Sequence, residues 1–271
     1  MKLLFDIGGT HLRAARAAPD GISEPRIVQT PVNPKEALRA LAALGNDLAA
    51  DVNEKIESAA GGVAGIIDSH GAILFSPNLR DFEGFSFAAE LGEAIGAPAQ
   101  VVNDAAVGAL GEATYGAGKG AHIVAYIAVG TGVGGARVVD GHLDRPAAGF
   151  EPGHHILDAH SGTTLEALVA GRAIEARAGV ASAADAPRQL YDELTPLLAA
   201  GIYNAILFWS PDVMVLGGSV MRENGYRVGE LSAALARLPK IFPALPPLKT
   251  AALSDASGLW GARALSDSGR A

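Results

Sequence analysis

The 271-residue sequence has no cysteine, and that absence excludes disulfides and thiolate metal sites. Positive charge is also short: 21 Lys and Arg stand against 29 Asp and Glu, a net charge of −8 with no basic cluster. That balance argues against nucleic acid or an anionic membrane as the main partner. Long hydrophobic runs are missing too. Asp6 interrupts the first apolar stretch, and no window reaches the ~18 apolar residues of a membrane-spanning helix. A cytoplasmic, unanchored protein is expected. Aromatic residues make up only 6 % of a chain that is 49 % hydrophobic, so Val, Leu, Ile and Ala carry the apolar content and exclude a disordered chain.

What is abundant is glycine, 34 residues, about one in eight. Glycine at that density marks tight backbone geometry, and here it separates well-formed apolar runs. A chain of 27.5 kDa buries roughly 70 % of its unfolded surface, enough for one large core or two moderate ones. The pattern predicts strand over 2–7, a Gly-Gly-Thr turn at 8–10 and a returning strand over 12–17, a β-hairpin. Helix follows over 34–50, with apolar residues at spacings of three and four and Pro34 in the first turn. Strands at 58–65 and 99–102 and helices at 87–95 and 105–114 come next. After a glycine-rich joint at 116–120, strands at 122–129 and 135–139 flank a Gly-Thr-Gly turn and repeat the first hairpin half a chain later. Helices are predicted at 163–176, 195–208 and 259–265, and a strand over 213–216 delivers Gly217 and Gly218. Strands alternating with helices, with glycine turns at strand ends, imply a duplicated α/β protein of two lobes with ligands near those ends.

Several clusters carry chemistry. In Asp6-Ile-Gly-Gly-Thr10 the glycines can present backbone N–H groups to a phosphate while the acid holds a cation; a plain hairpin turn is the alternative. Residues 130–135 satisfy G-x-G-x-x-G, but a strand rather than a helix follows, so the dinucleotide reading is rejected. Residues 116–120 lack the Ser or Thr that a phosphate loop needs after Lys119, and read as a hinge. Asn103-Asp104 stands where strand gives way to helix. It suits an N-cap, and equally a carboxylate that accepts the proton of a hydroxyl attacking phosphorus. Glu151, His154, His155, His160 and Glu166 are donors and acceptors suited to sugar hydroxyls. A metal site built from His154, His155, Asp158 and His160 is the rival reading, although their spacing is neither helical nor that of a zinc finger. Glu166, at a helix start, also suits the helix dipole.

Seven motifs, DIGGT at 6–10, SPN at 76–78, VVND at 101–104, VGTGVGG at 129–135, EPGH at 151–154, LEALVAG at 165–171 and VLGGS at 215–219, occur in one order along nearly the whole chain. In that combination the sequence resembles the ROK family of bacterial sugar kinases, within the actin-like ATPase superfamily. The resemblance implies a two-lobed actin-like ATPase (ribonuclease H-like) α/β fold, with lobes at 1–114 plus 256–271 and at 115–255 and a ligand cleft between them. It implies that Asp6, Gly8, Gly9 and Thr10 face the phosphates and Mg²⁺, Asp6 through water. Thr131 and Gly132 would hold phosphates from the other lobe, and Gly217 and Gly218 would border the adenosine of ATP. Asp104 would be the general base and, with Asn78, Asn103, Glu151, His154 and Glu166, would bind the sugar, which Gly65 would border through its backbone. The implied reaction is ATP-dependent phosphorylation of a hexose, glucose to glucose 6-phosphate first. Fructose, mannose or an N-acetylhexosamine, or a non-catalytic sugar or nucleotide sensor, are the alternatives. A cytoplasmic homodimer with small-molecule partners, and without nucleic acid or membrane, is the matching expectation.

Two departures from the family pattern matter. Members commonly follow the Gly-His pair with cysteines that hold a structural zinc together with that histidine. Residues 154–166 are cysteine-free and short, so no structural zinc is expected and His154 is left to the sugar. Family repressors carry an N-terminal DNA-binding domain, whereas this sequence starts almost directly with DIGGT, which favours an enzyme.

Overall fold

The computed structural model describes residues 1–144, 149–222, 224–239 and 241–268. Residues 269–271 of the expected first lobe, and 145–148, 223 and 240 of the second, lie outside the described residues. The chain divides into two units, one formed by Met1–Tyr115 with Gly149 and the residues from Ala256 onward, the other by Gly116–Asp144 and Phe150–Asp255.

In the first unit, β1 (Lys2–Ile7) and β2 (His11–Ala18) form the expected hairpin, extended by β3 (Gly21–Ile22) and β4 (Arg26–Gln29), both of which pair with β2. Strand alternation sorts β1. Leu3, Phe5 and Ile7 are fully buried in one cluster, while Leu4 joins another on the opposite face, the face that also takes Asp6. Helix α1 (Pro34–Ala50) starts where Asn33 Oδ1 accepts from Lys35 N and Glu36 N, at 2.9 and 3.3 Å, and Pro34 needs no partner for a missing N–H. Its Ala37, Leu38, Leu41 and Leu48 enter the cluster of Leu3 and Phe5. After β5 (Ser58–Val63) come the short pair β6 (Ile66–Ile67) and β7 (Ile73–Phe75), then α2 (Phe87–Ile95), β8 (Ala99–Asn103) and α3 (Asp104–Thr114). Four of the eight phenylalanines cluster here: Phe5, Phe82 and Phe85 each stand 6.0–6.3 Å from the Phe87 ring centroid. Burying each such ring contributes about 1.5–3 kcal/mol. The sheet order is β3-β2-β1-β5-β8, antiparallel in the hairpin and parallel from β1 to β8. The register sets Asp6 opposite Gly62 and Val63 opposite Asn103, so the carboxyl ends of three parallel strands finish together. Ligands collect at such ends.

The second unit builds β9 (Ile123–Val129), β10 (Val133–Val139) and β11 (His142–Leu143), then a small hairpin of β12 (Ile156–Asp158) and β13 (Thr163–Thr164). Helices α4 (Leu165–Val169), α5 (Gly171–Ala178) and α6 (Arg188–Trp209) follow, then β14 (Val213–Gly217), α7 (Val228–Leu235) and β15 (Leu248–Thr250). The sheet order β11-β10-β9-β14-β15 repeats the strand senses of the first sheet, antiparallel in the hairpin and parallel thereafter, so the duplication seen in the two hairpins extends to both sheets. Two helices depart from the predicted spans. The helix expected over 163–176 is broken at Ala170, whose ψ of 162° is extended, because Gly171 N turns to Gly130 O at 2.7 Å. The helix expected from 195 begins at Arg188 and passes through Pro196, since Tyr191 and Leu194 are core residues and tertiary burial outweighs the lost hydrogen bond.

The chain then returns to the first unit as α8 (Ser257–Asp267), which packs along α3. A Cβ on Gly261 would lie 1.6 Å from Val107 O and one on Gly111 would lie 2.3 Å from Ser257 O, so only glycine permits this approach. Among the described residues no helix is long and apolar enough to cross a membrane.

Candidate active site

The first unit groups its candidate residues at the finishing ends of β1, β5 and β8. Asn103 closes β8, and its side-chain oxygen accepts from Ala106 N at 2.9 Å, capping α3. The amide nitrogen of the same side chain donates to Gly65 O at 2.9 Å and to Asp104 Oδ1 at 3.1 Å. Gly65 has φ +134°, and a Cβ there would stand 2.6 Å from Phe75 O. Below it Ser76 Oγ, fully buried, donates to Ala64 O at 2.7 Å and accepts from Leu79 N at 3.1 Å, fixing the loop that carries Asn78. Asn78 in turn meets the first glycine turn: a Cβ on Gly9 would be 3.1 Å from Asn78 Cβ. That turn is closed by Gly8 N to His11 O at 3.0 Å and by Thr30 Oγ1 to Gly8 O at 2.7 Å, leaving Gly9 and Thr10 exposed.

Burial is the largest influence on Asp104, pushing its carboxyl above the usual range, against hydrogen bonds from Ala105 N–H and the Asn103 amide that favour the charged form. A carboxylate raised in this way is a stronger proton acceptor near neutral pH. Asp6 sits across from Arg13 in the hairpin, with 3.6 Å between Oδ2 and the guanidinium. Gly258 in the first turn of α8 lies so close that a Cβ would reach 2.6 Å from Asp6 Cγ, which sets the positive end of that helix against the carboxylate. A single carboxylate is enough for a Mg²⁺ ion, which keeps several waters and takes its other ligands from substrate phosphates.

The second unit arranges its candidates about Val133. Its amide donates to Glu166 Oε2 at 2.7 Å, and a Cβ on Gly132 would stand 2.5 Å from that same oxygen. On the carbonyl side, a Cβ on Gly153 would be 2.3 Å from Val133 O, so the short helical turn Pro152–His154 stacks on β10. Glu151 and His154 flank that turn with Oε2 and Nδ1 3.4 Å apart, both exposed. His155 instead turns its Nδ1 inward to Pro152 O. Asp158 and His160, members of the rival metal reading, are engaged in the β12–β13 turn, where Asp158 accepts from His160 N and Ser161 Oγ at 2.9 and 2.6 Å. Among the described residues no three His, Cys, Asp or Glu side chains converge as a metal-binding group.

The exposed Thr131 and its neighbour Gly130 open onto a cavity of about 330 Å³ within the second unit, walled also by Glu175, Tyr191, Ser219 and Arg222. Gly217 and Gly218 are not part of that wall. Gly217 is buried against Tyr126, and Gly218, at φ +93°, turns the chain so that Ser219 and Val220 reach the cavity. Glu175 was not foreseen; its Oε1 accepts from Ala183 N at 3.2 Å and fastens the loop that forms one side. The described wall residues come from five stretches of chain, 130–131, 171–175, 182–184, 191 and 219–225, and no sequence spacing links one stretch to the next.

A family model described as the ROK family matches residues 3–268. The chain belongs to the ROK family. It is 32 % identical over 246 residues to the bifunctional enzyme NanE/NanK of Brucella melitensis, covering 83 % of this chain and 46 % of that protein, so it spans about half the length of that relative. It is 26 % identical over 276 residues to the glucokinase of Thermotoga maritima, covering 85 % of this chain and 86 % of the other. The crystal structure of a ROK hexokinase from Thermus thermophilus superposes with a TM-score of 0.81 at 28 % identity, over 96 % of this chain and 95 % of that one. The fold is therefore the actin-like ATPase fold of ROK proteins, and the chain stands among ROK sugar kinases and their related regulators.

Proposed function

We propose that this ROK protein is an ATP-dependent hexose kinase with Asp104 as its general base. The observation that carries the reading is the β8–α3 junction, where Asn103 caps the helix, reaches Gly65 O and touches Asp104, whose proton affinity burial has raised. Asp104 takes the proton of a primary hydroxyl as that oxygen bonds to the γ-phosphorus and the bond to the leaving ADP oxygen breaks. In the first unit Asn78, Asn103 and the Gly65 backbone hold sugar hydroxyls, and Gly9 and Thr10 present their backbone to phosphate; Gly8, whose N–H and carbonyl are spent on His11 and Thr30, shapes the turn instead. In the second, Glu151, His154 and Glu166 hold sugar, Thr131 and Gly132 hold phosphates, and the cavity beside Thr131 receives the nucleoside. Gly217 and Gly218, at the bend that brings Ser219 to that cavity, would border the adenosine from beside it. Asp6 would hold Mg²⁺ through water, and the ion when bound neutralises phosphate charge.

Glucose is the first substrate to test, in line with the glucokinase relative. An ADP-release assay over glucose, fructose, mannose, N-acetylglucosamine and N-acetylmannosamine decides the matter. ADP formed only when one of these sugars is present supports the kinase. Sugar-dependent thermal stabilisation with no ADP under any condition replaces it with a sensor.

A further inference from the structure

Glu166 stands in the proposed sugar group, yet its carboxylate is spent partly on the phosphate turn. Oε2 accepts from Val133 N at 2.7 Å, immediately after the turn Gly130-Thr131-Gly132, and packs where a Gly132 side chain would otherwise be. Five residues further along the same stretch of chain, Gly171 N donates to Gly130 O at 2.7 Å, at the other foot of the turn. The turn closes on itself through Gly130 N to Gly132 O at 2.9 Å. Residues 166–171 therefore grip it at both ends, and α5, which they begin, carries Gly171 and Glu175 into the wall of the nucleoside cavity beside Thr131.

We infer that Glu166 is a positioning residue for the nucleotide as well as a sugar ligand, so that the sugar site and the phosphate turn share one carboxylate. This rests on the kinase reading above. One oxygen fixes the turn through Val133 N while the other is left for a sugar hydroxyl. Loss of the carboxylate then loosens the turn whether or not sugar is present. Conversely, a side chain at Gly132 displaces the carboxylate and is felt at the sugar. Gly132 has no positive φ, so alanine fits its backbone and meets only the movable end of Glu166.

The test uses the full chain and crosses the two sites. Magnesium AMPPNP is titrated calorimetrically into wild type, Glu166→Ala and Glu166→Gln with no sugar present. The expected result is five- to tenfold weaker binding for Glu166→Ala and binding within twofold of wild type for Glu166→Gln, whose amide oxygen still accepts from Val133 N. Wild-type affinity in Glu166→Ala overturns the inference. Should that variant fail to fold, Gly132→Ala carries the test through the KM of the best hexose in the panel: a rise of fivefold or more supports the shared carboxylate, and an unchanged KM overturns it. A wild-type chain that neither binds AMPPNP nor releases ADP with any hexose removes the kinase reading itself, and this inference with it.

Discussion

The Asn103 side-chain amide donates to the carbonyl oxygen of Gly65 across 2.9 Å, tying the end of β8 to the loop that leaves β5. The other end of the same side chain caps α3, so one residue serves helix stability and the placement of Asp104 together.

Replacing Asn103 should separate those duties. Asn103→Ala loses the cap, worth about 0.5–2 kcal/mol, and should shift the urea midpoint accordingly. Asn103→Ser keeps a capping oxygen but has no amide to reach Gly65 O. It should recover most of the stability and little of the lost kcat. Equal recovery of both would show that the Gly65 contact has no part in turnover.

Asp104→Asn should lower kcat by about 10²–10⁴, the usual scale for a general base. Its effect on stability runs the opposite way. Burial raises the folded-state pKa of Asp104, so the stability linked to this group is fully present below the unfolded value near 3.8 and is lost as pH rises through the raised folded value. The asparagine variant, with no charge to bury, should melt above wild type at pH 8, and the gap should narrow as pH falls. The acid limb of wild-type kcat should also lie above the ordinary Asp range.

Gly65→Ala tests the backbone beside that carboxylate. At φ +134° with Phe75 O only 2.6 Å from the added carbon, the substitution should cost about 1–3 kcal/mol in chemical denaturation and raise the sugar KM.

Glu175→Ala should act on the nucleotide alone. Removing the acceptor for Ala183 N forfeits a hydrogen bond worth about 0.5–1.5 kcal/mol and slackens one wall of the cavity. Steady-state kinetics should show a higher KM for ATP with the hexose KM unchanged. A matching rise in both would count against the assignment of the cavity to the nucleoside.

What could be read in advance followed local chemistry. Helix α1 was legible to the residue because Pro34 and the spacing of Leu38, Leu41 and Leu48 all speak within one stretch of chain; the Asn33 cap was seen only in the fold. The two hairpins were legible because alternation and glycine turns are equally local, although β3, β4, β11 and the β12–β13 pair are too short to announce themselves. The break at Ala170 had no such signal, since its cause is a carbonyl at Gly130, forty positions away. The expected start of α6 at 195 fell short because the helix runs through Pro196 from Arg188, held by the burial of Tyr191 and Leu194. In the candidate site, Asn103-Asp104 stood out because a strand meets a helix there. The bond from Val133 to Glu166 did not, because residues 33 apart in sequence meet only once β10 and α4 have folded together. The cavity wall was illegible for the same reason, being assembled from segments with no common period.

Helix α8 reaches the first unit only after the whole of the second has been synthesised, and Gly111 and Gly261 let it lie directly on the α3 backbone. During translation, then, β1 through α3 wait with Leu4, Ala15 and Val107 lacking the cover of Leu259 and Ala262 while residues 116–255 are made and free to mature as an insert. The first unit is thus completed after the second, and a ribosome stalled before Ser257 would present it to chaperones and proteases with that cluster partly uncovered.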